Sequence, residues 1–155
     1  MTTLRNRRTK RSDHHKRSVH HKRSTKRSVH HKRSGKKYSP NCIVGTMTEM
    51  LHTTKLYHWH THSYPEHKAT DKLYEALDDQ VDRFVETMLG SKRTRATLTH
   101  MPLRSFNTLP AFKRRIEYYK EYLKRMPASL GTDLLNIRDE LLGSLNHFSY
   151  LLTLH

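Results

Sequence analysis

The chain has 155 residues, enough for one domain with a tail, and its hydrophobic content of 34% is low for a globular protein. Its formal net charge of +16 is uneven: residues 1–40 carry 15 Lys/Arg and one acid, whereas residues 41–155 carry 15 Lys/Arg and 13 acids. A single cysteine, Cys42, excludes an internal disulfide and favours a reducing compartment, and no apolar run is long enough to span a membrane. We therefore expect a soluble cytoplasmic protein with a cationic arm and a nearly neutral folded body.

The arm, residues 1–40, contains the triplet KRS five times and six histidines in three pairs. With so few apolar residues it cannot offset the entropy of ordering, and we expect it to be disordered alone. Lys and Arg on phosphates release condensed counterions, which predicts sequence-independent binding to DNA. The alternatives are an anionic membrane, a solubilising tail or a nuclear-import signal. The predicted nucleic-acid-binding residues are Arg5, Arg7, Arg8, Lys10, Arg11, Lys16, Arg17, Lys22, Arg23, Lys26, Arg27, Lys32, Arg33, Lys36 and Lys37.

The first two helices of the body are predicted over residues 41–62 and from Ser63 to Leu89. Ser63-Tyr64-Pro65-Glu66 has the pattern of a capping box, and Gly90 is a typical helix stop. The turn between the helices is so short that they must pack antiparallel. The predicted inward positions are Val44, Met47, Leu51, Thr54 and His58 in the first helix, and Leu73, Leu77, Val81, Phe84 and Met88 in the second.

Two further helices follow a connection at residues 91–108. Thr108 is the predicted cap of the third, and Thr132 that of the fourth, Asp133–Thr153. The 18-residue connection reaches about 59 Å when extended, more than the roughly 39 Å of the second helix. The predicted fold is all-α: a ferritin-like four-helix bundle (41–155) with a long crossover between helices 2 and 3. The predicted inward positions are Phe112, Ile116, Tyr119, Leu123 and Met126, then Leu134, Leu141, Leu145, Phe148 and Leu152.

One face of the second helix carries His67, Asp71, Asp82 and Glu86, spaced by 4, 11 and 4 residues. Such a stripe suits iron or another divalent metal, and it equally suits a solvated charged face. The two pairs lie about 22 Å apart along the helix, too far to share one metal within a chain. A two-fold axis near residues 76–77 would bring His67/Asp71 of one copy to Asp82/Glu86 of another, with His58 close to His67.

These residues give the chain a resemblance to the Dps-type mini-ferritins, the DNA-binding members of the ferritin superfamily. The family pattern is H-W-N, then H-x-x-x-D, then D-x-x-x-E and a glycine; His58-Trp59, His67/Asp71, Asp82/Glu86 and Gly90 match it. The resemblance implies a ferroxidase with non-haem iron between two subunits, held by Asp82 and Glu86 of one chain and by His58, His67 and Asp71 of its partner. It also implies peroxide as the oxidant, a mineral store in a dodecamer built from two-fold dimers, and DNA binding through a basic N-terminal extension.

The pattern departs from the family at the residue after Trp59, which is His60 instead of Asn, and in a shorter loop that lacks G-x-x-F. His60 and His62 are expected to have no fixed role, or to lie on an iron entry path. The arm repeats and the region around His58 also look like ferritin-like proteins of large DNA viruses. The resemblance to DNA-binding mini-ferritins predicts a cytoplasmic protein associated with the nucleoid or with DNA. The likeness to the viral proteins makes a virion the alternative location.

Two other functions are considered. One is a non-enzymatic protein that condenses or packages DNA, with the bundle as an oligomeric hub and a metal site that is vestigial or takes zinc or manganese. The other is an intrachain di-iron enzyme, which needs Glu-x-x-His on two helices. Only Glu49 and His52 form such a pair, and helices 3 and 4 offer no second copy.

Overall fold

Four α-helices form the body of the chain in a computed structural model that describes residues 37–101 and 103–154. These described ranges contain no strand, and the all-α, four-helix prediction is confirmed. None of their helices has the length and apolar character needed to cross a membrane. The helices are α1 (Pro40–His60), α2 (Tyr64–Lys92), α3 (Leu109–Lys124) and α4 (Thr132–Leu151), with a short 3-10 helix at Ala128–Leu130.

Proline and a polar N-cap mark the starts of the first three helices. Ser39 precedes α1, and its Oγ accepts a hydrogen bond from the Cys42 backbone N–H at 3.4 Å. Ser63 and Thr108 occupy the N-cap positions of α2 and α3, as predicted. Each of these helices has proline in its first turn, where the missing N–H costs nothing because it would have no partner within the helix.

The predicted capping box at the start of α2 is wrong. The Ser63 side chain makes no cap hydrogen bond. The Glu66 carboxylate does not reach back to Ser63 and instead accepts hydrogen bonds from Tyr57 and Thr61. The helix starts where the pattern placed it, but tertiary contacts take over the side chain that would have closed the box.

The end of α2 and the start of α4 differ from the predicted positions. Helix α2 continues through Gly90 to Lys92, and its C-cap Arg93 has a left-handed φ of 48°. The Thr94 N–H donates to the Leu89 carbonyl oxygen at 3.1 Å. The N-cap of α4 is Gly131 and not Thr132. Gly131 has a φ of 104°, and a Cβ there would lie 2.7 Å from Asp133 Oδ1, so glycine is needed at this position.

The core is formed by the stripes predicted for α2, α3 and α4, and every one of those positions is buried. The prediction for α1 is partly wrong. Val44 and Leu51 are only half-buried, while Ile43, Met50 and Tyr57 contribute to the core. The buried face of α1 is therefore turned relative to the predicted stripe. It includes polar residues that have partners inside the protein, and the spacing of apolar residues does not predict these contacts.

Adjacent helices run antiparallel. Between α2 and α4, Arg83 pairs with Glu140, and Ser144 Oγ donates to Gln80 Oε1 at 3.1 Å. Between α3 and α4, Lys113 Nζ donates to the carbonyl oxygen of Leu152 at 3.3 Å. The last of these contacts places the start of α3 beside the end of α4.

The connection between α2 and α3 follows α1. Polar contacts join them at three levels: Thr97 N to Asn41 Oδ1 (3.2 Å), Arg104 Nε to Glu49 Oε1 (3.1 Å), and His60 Nε2 to the Asn107 carbonyl oxygen (3.3 Å). The contacts therefore extend from the first turn of α1 to its last.

Glu49 is a buried carboxylate that ties together α1, α3 and the connection. It pairs with Arg115 and Arg104 and accepts a hydrogen bond from the Tyr119 hydroxyl at 3.3 Å. A buried charge needs such partners because removing it from water is costly. This cluster holds the connection against the outer side of the helix that carries His58.

Candidate metal centre

The short turn between α1 and α2 sets the positions of His58 and His67. Only three residues separate the helices, and Glu66 closes the turn by accepting hydrogen bonds from the Tyr57 hydroxyl at 2.6 Å and from Thr61 Oγ1 at 2.8 Å. Burial raises the pKa of Tyr57, and the Glu66 carboxylate raises it further. Tyr57 thus keeps its proton and remains a donor to Glu66.

His58 and His67 form a reciprocal pair. His58 Nδ1 lies 3.1 Å from the carbonyl oxygen of His67, and His67 Nδ1 lies 3.1 Å from the carbonyl oxygen of His58. Their rings are stacked, with centroids 3.8 Å apart and planes inclined by 25°. His58 is buried and His67 is half-buried. The geometry of the pair is therefore defined by contacts within the chain.

The hydrogen bonds fix the chemistry of both imidazoles. A carbonyl oxygen can only accept, so each Nδ1 must carry the proton. In the neutral ring the Nε2 atom then has a free lone pair, the form in which histidine binds a metal. The Nδ1–H to carbonyl arrangement is also a typical orienting contact behind a metal-bound histidine.

Asp71 lies next to this pair. Its Oδ1 is 3.9 Å from His58 Nε2, and its Oδ2 is 3.9 Å from Lys68 Nζ. About a third of its side chain is exposed, at 35%. The structure thus brings together three of the five predicted ligands, His58, His67 and Asp71, within one chain.

Thr70 is a site residue that the sequence analysis missed. It is fully buried, its Oγ1 lies 3.3 Å from His58 Nδ1, and it donates to the Glu66 or His67 carbonyl oxygen at 2.8 or 3.0 Å. Threonine inside a helix often bonds the preceding turn, so its residue type alone carries no signal. Its position three residues after His67 could have suggested the contact, because such residues share a helix face.

The other two predicted ligands, Asp82 and Glu86, lie elsewhere on α2. Both are exposed, and neither forms an ion pair with another residue in the described part of the chain. Their centre is about 22 Å along the helix from that of His67 and Asp71. The structure therefore does not bring the two halves of the predicted set together within one chain.

Within residues 37–101 and 103–154 of a single chain, no three His, Cys, Asp or Glu side chains are arranged to hold a metal ion. The group formed by His58, His67 and Asp71, the histidine group, offers the Nε2 atoms of two rings and one carboxylate, with Asp71 Oδ1 3.9 Å from His58 Nε2. A complete site at His58 would need oxygen ligands from outside this chain.

The model of one protein family, DUF5856, described as a family of unknown function, matches residues 58–152. The chain belongs to this family. No curated protein and no solved structure matches the chain. The matched region begins at His58 and includes all five predicted ligands, whereas residues 1–40 lie outside it.

Aromatic and basic side chains surround the histidine group on the surface. Trp59 is 69% exposed, and the Nζ of Lys55 lies 5.8 Å from the centroid of its ring and 4.5 Å from that of Tyr74. His60 Nε2 lies 3.3 Å from the Asn107 carbonyl oxygen in the connection. An exposed tryptophan beside a second aromatic ring is typical of an interaction surface.

Lys37 is the one predicted nucleic-acid-binding residue inside the described ranges; the other fourteen, Arg5 to Lys36, lie outside them. Its Nζ lies 5.6 Å from the ring centroids of both Tyr38 and Tyr122. The Tyr38 hydroxyl donates to the Tyr122 carbonyl oxygen at 3.2 Å. The base of the arm is thus attached to the end of α3.

Proposed function

We propose that the chain is a Dps-like mini-ferritin that binds and oxidises Fe(II) at sites shared between two copies, with its basic arm bound to DNA. The observation that carries this proposal is the reciprocal His58–His67 pair with Asp71 beside it. Both Nε2 lone pairs are free, and a carboxylate is adjacent. Imidazole nitrogen and carboxylate oxygen are suitable ligands for Fe(II), and zinc or manganese would fit the same donors.

The missing oxygen ligands would come from Asp82 and Glu86 of a second copy. A two-fold axis near residues 76–77 of α2 sets two copies of this helix antiparallel, which places each histidine group opposite the partner's carboxylates. Each dimer then has two identical sites. The exposure of Asp82 and Glu86, without ion pairs in the described ranges, supports this assignment because it leaves both carboxylates available.

The surface around the histidine group supports a contact between copies. Trp59 and Tyr74, with Lys55 between them, lie on the α1–α2 face that such a dimer would cover. The connection that follows α1 supports the ferritin-like topology, in which a long crossover joins helices 2 and 3. Dimers of this kind would assemble further into a dodecamer that holds the oxidised mineral.

In the proposed reaction, Fe(II) is the substrate and peroxide the oxidant. Two Fe(II) ions give one electron each to hydrogen peroxide, the O–O bond breaks, and two protons complete two water molecules. The histidines and carboxylates bind the ion and orient it, and Glu66 and Thr70 hold the histidines in place. Peroxide consumed in this way next to bound DNA does not produce hydroxyl radicals.

A complementation experiment tests the shared site. One variant, Asp82→Ala/Glu86→Ala, loses the carboxylates, and a second, His67→Ala/Asp71→Ala, loses part of the histidine group. Each should fail to oxidise Fe(II) alone. After unfolding and refolding together in equal amounts, half of the dimers are mixed and each has one intact site, so about a quarter of wild-type oxidation should return.

The refolded wild type is the control, and equal recovery of native mass must be checked for each sample. No recovery in the mixture would contradict a site shared between chains. Unchanged oxidation by Asp82→Ala/Glu86→Ala alone would exclude these carboxylates as ligands.

A second candidate is the non-enzymatic condenser of nucleic acid, in which the bundle only joins several arms into one avid particle. It needs no metal ligands, so the lack of a three-ligand group within the described residues of one chain is compatible with it, as it is with a site shared between chains. Anaerobic Fe(II) titration followed by peroxide separates the two candidates, since the condenser would show no oxidation. Deleting residues 1–37 should abolish DNA retention at moderate salt under either candidate.

A further inference from the structure

The positive charge of the folded body is concentrated in one segment, residues 91–108. This segment has four Lys/Arg, one histidine and no acid, whereas the rest of residues 41–155 has 11 Lys/Arg and 13 acids. The segment carries four formal positive charges, whereas residues 41–155 as a whole have a surplus of only two Lys/Arg over acids. Outside it, the body is slightly acidic.

The segment begins at the end of the bundle where the arm is attached. Asn41 lies four residues after Lys37, and its Oδ1 accepts a hydrogen bond from the Thr97 N–H, two residues after Arg95. From there the segment follows α1 to its last turn, where the Asn107 carbonyl oxygen contacts His60. A strip of positive charge thus continues from the base of the arm along the outside of α1.

The cations of this strip are accessible. Lys92, Arg93 and Arg95 are exposed and form no ion pair with any residue in the described ranges. Arg104 pairs with Glu49, yet 54% of its side chain is exposed. The negative end of α2 accounts for Lys92 and Arg93, since cations there stabilise a helix, but Arg95 and Arg104 lie beyond its reach.

Several other residues of the strip suit a phosphate backbone, although Leu98 and Leu103 are exposed apolar residues. Exposed hydroxyl groups accompany the cations, and hydroxyl side chains and backbone N–H groups are common phosphate contacts. The strip contains no carboxylate that would repel a polyanion. Its exposed hydroxyl residues are Ser91, Thr97, Thr99, Ser105 and Thr108.

We propose that residues 91–108 form a second nucleic-acid-binding surface, which continues the contact made by the arm along the folded body. The proposal rests on the proposed binding of DNA by the arm. It assigns the strip to the sugar–phosphate backbone, because charge and hydroxyl groups contact phosphates without reading bases.

The test compares two full-length variants that lose the same charge. Lys92→Gln/Arg95→Gln removes two cations of the strip, and Lys72→Gln/Arg114→Gln removes one lysine and one arginine outside the strip, from α2 and α3. All four residues are exposed and without ion pairs among the described residues. Binding to a short fluorescent duplex of mixed sequence is measured by anisotropy over a range of salt concentrations.

The strip variant should reduce the slope of log K against log salt by about 2, since each phosphate contact contributes about 0.9. The control variant should keep the wild-type slope. Equal slopes for wild type and strip variant, with wild-type binding intact, would overturn the second surface but leave the arm proposal standing. If the wild type itself does not bind DNA, the proposed function fails first.

Native mass is measured in parallel. A change in subunit number for the strip variant, with unchanged DNA binding per particle, would identify the strip as a contact between copies and overturn the proposal.

Discussion

The two halves of the predicted metal site lie towards the two ends of α2, and they differ in the contacts that their side chains make. At its start, His67 is stacked on His58, both Nδ1 atoms are bonded to carbonyl oxygens, and Thr70 is buried behind them. Towards its other end, Asp82 and Glu86 are exposed, without ion pairs among the described residues. One half of the predicted site is thus held by contacts within the chain, whereas Asp82 and Glu86 make no such contacts among the described residues.

This difference teaches which residues should affect stability and which should affect binding. The contacts of the histidine end are made within the chain, so its residues support the fold as well as a ligand. The side chains of Asp82 and Glu86 make no such contacts among the described residues, so they contribute little to folding. Variants at the two ends should therefore separate the two properties.

The largest effect is expected from Asp82→Ala/Glu86→Ala. Loss of both carboxylates should weaken Fe(II) binding more than about a hundredfold, since even the groups behind metal ligands contribute 10- to 100-fold. The free energy of unfolding should change by less than about 0.5 kcal/mol, as is usual for exposed positions. Anaerobic Fe(II) titration and urea denaturation measure the two quantities. Glu117→Ala/Asp133→Ala, on exposed acids of α3 and α4 away from the proposed two-fold axis, is the matched control and should bind as the wild type does.

His58→Ala, unlike the carboxylate variant, should clearly lower the free energy of unfolding. It removes a buried, hydrogen-bonded ring and should lower the free energy of unfolding by about 2 kcal/mol, through a cavity and unpaired polar groups. The exposed His62→Ala is the control, with a change expected below about 0.5 kcal/mol. Equal stability of the two variants in urea denaturation would contradict the inference that contacts within the chain hold His58 in place and stabilise the fold.

Tyr57→Phe should change how stability depends on pH. Burial and Glu66 raise the pKa of Tyr57 in the folded state, so its contribution is complete below the unfolded pKa of about 10 and is lost as the pH rises through the folded value. Above about pH 10 the wild type should lose up to about 1.4 kcal/mol of stability per pH unit through this group. The variant should lose stability less steeply, although burial also raises the pKa of Tyr119 and Tyr122. Denaturation at a series of alkaline pH values measures the slope.

The same variant should have the smallest effect at neutral pH. It removes the hydrogen bond between Tyr57 and Glu66, which should lower the free energy of unfolding by about 1 kcal/mol. Tyr64→Phe, at a side chain that is 73% exposed, provides the comparison and should be nearly neutral. If Tyr57→Phe leaves the free energy of unfolding unchanged, the hydrogen bond between Tyr57 and Glu66 does not stabilise the turn that carries His58 and His67.

Apolar spacing predicted most of the fold because three helices follow it closely. Every predicted inward position of α2, α3 and α4 is buried. The spacing failed in α1, where Glu49 is buried against Arg115 and Tyr119, residues about 70 positions later in the chain. The predicted helix stop at Gly90 is also wrong, since the helix passes through this glycine and ends at Lys92. Partners distant in sequence decide such details.

The candidate site was predictable to the extent that helical register places residues on a face. His67 and Asp71 lie one turn apart, and the short turn brings His58 to them, as expected. The mutual bonding of the two histidines to each other's carbonyl oxygens depends on the depth at which α1 and α2 pack. Residue types and spacing do not specify that depth, and so Thr70 and Glu66 were not anticipated as supports.

The bridge from Glu66 to Tyr57 and Thr61 has a consequence for amide hydrogen exchange. It fastens the last turn of α1 to the first turn of α2, so that neither turn can open without breaking the contacts of the other. Amides of residues 57–61 and 66–70 should therefore exchange as one cooperative unit with a shared opening free energy. In Tyr57→Phe this unit should divide, with faster exchange on the α1 side.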